Sequence, residues 1–242
     1  MKNIALMLSL IYSSLTANAQ VVGGSYNDLF DKFIMADYQD CLDDALKYTE
    51  KDKTRRESEP YLYASMVYMK YYNNPNYVEI DKDDLLKDAL KYAAKFVKYE
   101  TKNEESDLVT QNKEALLELK KISVELAEYF YIEENFGKAA YFLKKFDKVK
   151  QSPEILLVIG NCQILARNVT EGERNLKLAL EQLKTNNVEF TNSDLLGELT
   201  IRSFKAQIRF FQSNEETEKA GQYIKMAAFY FIKDPAMANL YN

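Results

Sequence analysis

The 242-residue chain is predicted to be all-α, on three observations. It holds only 7 glycines and 4 prolines, too few for the turn-dense pattern of a sandwich or a barrel. Apolar residues recur three and four positions apart along most of its length, the period of a helix buried on one face. Clusters of Asn, Asp, Ser and Thr fall between these periodic segments, which reads as helix pairs joined by short polar links. At 47% hydrophobic and 29% charged residues, the chain can build a core and lacks the composition of a disordered segment.

Residues 1–19 stand apart from the fold. Lys2 is a charged head, Ile4 to Leu15 an apolar middle and Ala17-Asn18-Ala19 a small-residue cleavage site. The expectation is a signal peptide removed before Gln20 and a product exported to the periplasm. The apolar run falls short of the roughly 20 residues that span a bilayer, and no cysteine near the cleavage site speaks for a lipid anchor. Residues 20–242 are read as one helical domain. Loss of Lys2 takes the formal net charge from -5 to -6, a mildly acidic balance that argues against nucleic acid as partner.

The first expected pair is Ser25–Ala36 with Gln39–Thr49, whose second helix carries Cys41, Ala45 and Tyr48 on its packing stripe; Glu50 to Ser58 is a charged link. The second pair opens with Ser58 as N-cap and Pro60 just inside the helix. It runs through the aromatic stretch Tyr61–Tyr72, stops at Asn73-Asn74-Pro75-Asn76 and resumes over Asp83–Lys98 on a stripe of Leu86, Leu90, Ala93 and Val97. Thr101–Val109 is a polar link to a long helix, Asn112–Glu134, packing through Ala127 and Phe130; Ala139, Leu143 and Phe146 form the stripe of its partner.

Ser152-Pro153-Glu154 combines a cap, a first-position proline and a first-turn acid, a strong start for the fourth pair. There Ile155, Ile159, Cys162 and Ala166 line one helix face, and Gly172, Leu176, Ala179 and Leu183 the next, with Asn168 and Glu171 at capping-box spacing between them. The small residues Gly160, Gly172 and Ala179 lie where two helices approach closely. After a link over Lys184–Asn192, the fifth pair is expected from Ser193 to Gln212, then from a Ser213/Glu216 capping box through Ala220, Ile224, Ala227 and Phe231, ending at Asp234-Pro235. Ala220, Ile224 and Ala227 reproduce the spacing of Gly172, Leu176 and Ala179.

The small-bulky-small trio on the second helix of a pair, with Gly160 midway along the first, resembles a tetratricopeptide repeat. The resemblance covers most of Gln20 to Lys233 and implies a right-handed α-α superhelix, a solenoid of four to five helix pairs. It is most specific in the third to fifth pairs. The departures are the absence of tryptophan, displaced closing prolines and overlong first helices in pairs three and five.

Histidine is absent, which removes His-based triads, His-containing metal sites and a His general base. The paired acids Glu133-Glu134 and Glu215-Glu216 sit at helix ends, where capping and solvation account for them. Asp81-Lys82-Asp83-Asp84 lacks the turn glycine and closing glutamate of a calcium loop and reads as a cap with first-turn acids. Asn168-Val169-Thr170 fits a glycosylation sequon but is explained by capping. Cys41 and Cys162, about 120 residues apart in a chain of stacked units, are read as separate buried core residues rather than a bridge. No catalytic residue, metal or cofactor is expected.

The repeat resemblance implies that first helices line a concave surface that grips peptides. In pair five, Arg202, Lys205, Arg209 and Gln212 fall within about 80 degrees of one another on the helical wheel, a basic strip on an acidic protein suited to an acidic peptide or a terminal carboxylate. Asn161 and Leu157 of pair four, with Val124, Glu128 and Tyr131 of pair three, are expected on the same face. Tyr61, Tyr63, Tyr68, Tyr71, Tyr72 and Tyr77 are read as packing residues, Tyr72 and Tyr77 being the candidates for exposure. The functional expectation is a non-enzymatic, exported interaction scaffold of the cell envelope that binds another envelope protein or peptide; the alternative is a glycan-binding helical-repeat protein.

Overall fold

A computed structural model describes residues 24–74, 76, 80–103, 106–186 and 194–230. The expected signal segment, Tyr77, Phe231 and the Asp234-Pro235 stop lie outside them. Every regular element among the described residues is a helix: α1 Asn27–Ile34, α2 Tyr38–Glu50, α3 Glu59–Asn73, α4 Lys82–Glu100, α5 Leu108–Gln111, α6 Lys113–Ile132, α7 Phe136–Asp147, α8 Pro153–Leu165, α9 Val169–Asn186, α10 Leu195–Ser213 and α11 Thr217–Tyr230. None of these helices is long and apolar enough to cross a membrane.

Four of the helix pairs share one connector. A three-residue turn joins α1 to α2, α6 to α7, α8 to α9 and α10 to α11, and its middle residue is Ala36, Glu134, Arg167 or Glu215. All four adopt positive φ, between 56° and 68°. In each turn the middle residue donates its N–H three positions back, and the next residue five positions back, as in Glu134 N–H to the Tyr131 carbonyl at 3.1 Å and Asn135 N–H to the Phe130 carbonyl at 2.8 Å. This is the Schellman arrangement, which satisfies the carbonyls that a helix end leaves open. Glycine is the usual occupant of its left-handed position, so four non-glycine residues there carry local backbone cost. The pair α3–α4 has the longer link that the sequence suggested.

Packing follows the chain. The helices of each pair pack on one another, α2 packs on α3, α7 on α8, and α10 reaches back onto α8. Apolar side chains divide into two clusters, one reaching from Leu29 to Leu199 and one from Leu157 to Ala227, and Leu156 touches both. Helix α8 lies between them. Its residues are buried without interruption from Leu157 to Ile164, as its nearly unbroken apolar sequence requires: a helix apolar on all sides must be covered on all sides. The closest approach is to α9, where a Cβ built on Gly172 would stand 2.7 Å from the carbonyl oxygen of Gly160, and one built on Gly160 would stand 2.9 Å from that of Gly172.

Local signals are partly overridden. Ser152 caps α8, accepting from Ile155 N–H at 3.5 Å, and Asp81 caps α4, accepting from Asp83 N–H at 2.7 Å. Ser58 is not a cap: its backbone is already helical, and its hydroxyl donates to Glu100. Ser213 belongs to the last turn of α10 and donates to the Arg209 carbonyl at 2.8 Å. Its proposed capping partner Glu216 pairs with Lys219 at 2.8 Å. The stretch read as a polar link over Thr101–Val109 holds the start of the short helix α5.

Two buried glutamates bind backbone N–H groups at or just before helix starts. Glu59 accepts from the backbone N–H groups of Gly24 at 2.8 Å, Ser25 at 2.6 Å and Tyr26 at 3.3 Å, the three residues that lead into α1. Glu100 accepts from Leu108 N–H at 3.1 Å, at the start of α5, and from the hydroxyls of Ser58 and Ser106. Carboxylates at helix starts meet both the unpaired donors and the positive end of the helix dipole.

Candidate functional site

The strip on α10 forms because the apolar period of that helix leaves one flank free. Leu199, Phe204, Ile208 and Phe211 are buried, while Arg202, Arg209 and Gln212 are exposed and Lys205 is half-buried. Across from it stands α6, which contributes Glu128 and Tyr131.

Those helices touch at the expected residues. Arg202 Nη1 binds Glu128 Oε1 at 2.8 Å, with the arginine side chain 44% and the glutamate 19% exposed. The Tyr131 hydroxyl donates to the Arg202 carbonyl at 3.3 Å. Burial pushes the Tyr131 phenol above its ordinary range, Cys162 nearby adds to the rise, and Arg202 and Arg209 oppose it. Glu128, Tyr131, Arg202 and Arg209 therefore form one neighbourhood. Arg202 is already engaged within the chain, which leaves Lys205, Arg209 and Gln212 as the open part of the strip.

Asn161 occupies different ground. It is fully buried between α8 and α10, where its amide donates to the Ser203 hydroxyl at 3.0 Å; Ser203 donates in turn to the Thr200 carbonyl at 2.8 Å. Leu157 is likewise buried, and Val124 is covered near the Asp194 end of α10. One turn beyond Ser203 lies Gln207, fully buried, with neither amide atom bonded; the Asn161 side-chain oxygen is unbonded too. A polar residue on the apolar stripe of Phe204, Ile208 and Phe211 is the sequence signal that exposes Gln207. The Asn161 amide thus joins α8 to α10, and both buried amides face no open surface.

The remaining candidates resolve into structure. Asp83 pairs with Lys138 at 3.0 Å and Asp84 with Lys87 at 2.9 Å. Glu134 and Glu215 occupy the left-handed turn positions. Cys41 and Cys162 are both free and buried, and burial raises each thiol to about 12. Tyr61, Tyr63 and Tyr71 are buried; Tyr72 is half-buried beneath Lys82, whose ammonium lies 5.6 Å from its ring centre. Compared with protein-family models, with curated proteins and with solved structures, the chain matches none.

Proposed function

We propose that this chain is a tetratricopeptide-like array of helix pairs that serves as an exported, non-enzymatic scaffold, holding a peptide or protein of the cell envelope. The observation that carries the reading is the connector used four times, with the same left-handed middle residue and the same two hydrogen bonds. Its copies at Ala36, Glu134, Arg167 and Glu215 lie 98, 33 and 48 residues apart, and the middle interval alone is next to the roughly 34 of the repeat family. Stacked pairs bury their flanks against neighbours and leave extended surface for a partner.

On this reading Lys205, Arg209 and Gln212 form one contact region for an acidic segment, with the Arg202–Glu128 pair fixing its edge. The test is a pull-down with mass spectrometry from the native host, run with the chain and with its Lys205→Glu/Arg209→Glu variant. A partner lost with the variant at an unchanged melting temperature supports the region; a partner kept removes it; no partner in either removes the scaffold reading. Retardation of the pure protein by a polysaccharide in affinity electrophoresis would favour glycan capture instead.

A further inference from the structure

A second surface lies away from the α10 strip. The end of α4, the short helix α5, the first turns of α6 and the turn into α8 enclose a cleft of about 640 Å³, within the roughly 300–1,000 Å³ of ligand-binding clefts. Val97, Val109, Leu116, Leu117, Val149 and Pro153 give it apolar walls. Leu117 is 48% exposed there, an uncovered leucine on a helix whose Ala115, Leu119 and Ile122 are all buried.

Its rim is basic. Lys113, Lys120 and Lys150 line the cleft, and none has an acid partner among the described residues, whereas lysines such as Lys47, Lys87 and Lys91 pair with an aspartate three positions away. Glu154, the acid that also lines the cleft, accepts from the Ser152 hydroxyl at the start of α8. Three lysines against one glutamate is the reverse of the balance of a chain with net charge -5. Apolar walls under a cationic rim ask for an occupant that is apolar on one side and anionic on the other.

We infer that this cleft seats an acidic amphipathic peptide segment of a partner protein, with apolar side chains at helical spacing against Leu116, Leu117 and Val149, and carboxylates toward Lys113, Lys120 and Lys150. The inference rests on the scaffold reading and adds to it a second contact region with a defined chemistry.

The experiment is selection of a random peptide library displayed on phage against the immobilised full chain, with depletion against Lys113→Glu/Lys120→Glu/Lys150→Glu. Binding of the enriched synthetic peptides is then measured by fluorescence polarisation. Enriched peptides should carry Asp or Glu together with apolar residues three and four apart, and weaken with rising salt. They should lose about tenfold or more in affinity to the triple variant and to Leu117→Glu, at melting temperatures close to that of the parent. No enrichment, enrichment of basic peptides, or binding to both variants within about twofold of the parent overturns the inference. So does a preference of the cleft for laurate over every selected peptide. A native partner still captured by the triple variant, with no peptide selected, sinks the cleft and leaves the scaffold; selected peptides with no native partner do the opposite.

Discussion

Replacing Gly172 by alanine should destabilise the protein, whereas the same change at Gly221 should stabilise it. Both glycines lie inside helices, α9 and α11, so each gains about 1 kcal/mol from alanine's better helix propensity. Their surroundings differ. The new methyl at 172 would stand 2.5 Å from Ile164 Cγ1, 2.7 Å from the Gly160 carbonyl oxygen and 3.0 Å from the Ile164 amide nitrogen; at 221 nothing lies within 4 Å. Two of the three clashes at 172 are with backbone, which no rotamer change relieves, so α8 and α9 must separate. Overpacking of a tight site costs about 1–3 kcal/mol, and a backbone-limited contact belongs at the upper end. The net loss is then about 2 kcal/mol, or roughly 4–8 °C in melting temperature for a domain of this size, against a rise of about 2–4 °C for Gly221→Ala. Gly160→Ala should resemble Gly172→Ala, and the double variant should fall short of the sum, because one separation relieves both contacts. Thermal melts followed by circular dichroism decide it. Equal shifts of one sign at positions 172 and 221 would refute the close approach of α8 and α9.

Glu134→Gly and Glu215→Gly, at φ 56° and 62°, should each raise stability by about 0.5–1 kcal/mol, read by urea denaturation, since glycine takes the left-handed turn without the side-chain penalty. Glu59→Gln should cost about 1–3 kcal/mol by leaving the N–H groups of Gly24, Ser25 and Tyr26, just before α1, with poorer acceptors, and hydrogen exchange should speed up in α1 before it does in α8. The thiols of Cys41 and Cys162 sit at about 12 in the fold against an ordinary value of 9.0. Above pH 9 the unfolded chain therefore loses protons that the folded chain keeps. Stability should fall from pH 9 toward pH 12, less steeply in Cys41→Ala/Cys162→Ala, and neither thiol should react with a disulfide reagent at pH 8 until denaturant is added.

Much of this architecture is legible in the sequence because amphipathic period and local caps are properties of single helices. Ser152-Pro153 starts α8, and Leu176, Ala179 and Leu183 of α9 are buried in one cluster with Leu157 and Ile164 of α8, as their spacing requires. What escapes is set by residues far apart. Ser58 has the sequence context of a cap, yet its hydroxyl goes to Glu100, and the segment before α1 is held by Glu59. Ser213 has capping-box spacing, but α10 runs through it because the next helix needs only a three-residue turn, and a left-handed Glu215 leaves no glycine to mark the place. The α10 strip shows the same division. Its period puts Arg202, Lys205, Arg209 and Gln212 on one flank, while the Arg202–Glu128 pairing and the burial of Asn161 depend on how α6 and α8 come against it.

The bonds that Glu59 makes to the residues before α1 also bear on how the chain matures. The segment leading into α1 is synthesised before the carboxylate that binds its N–H groups, which follows more than thirty residues later. The entry to α1 is thus fastened from downstream: its three bonds to Glu59 cannot form until the head of α3 has been added to the chain.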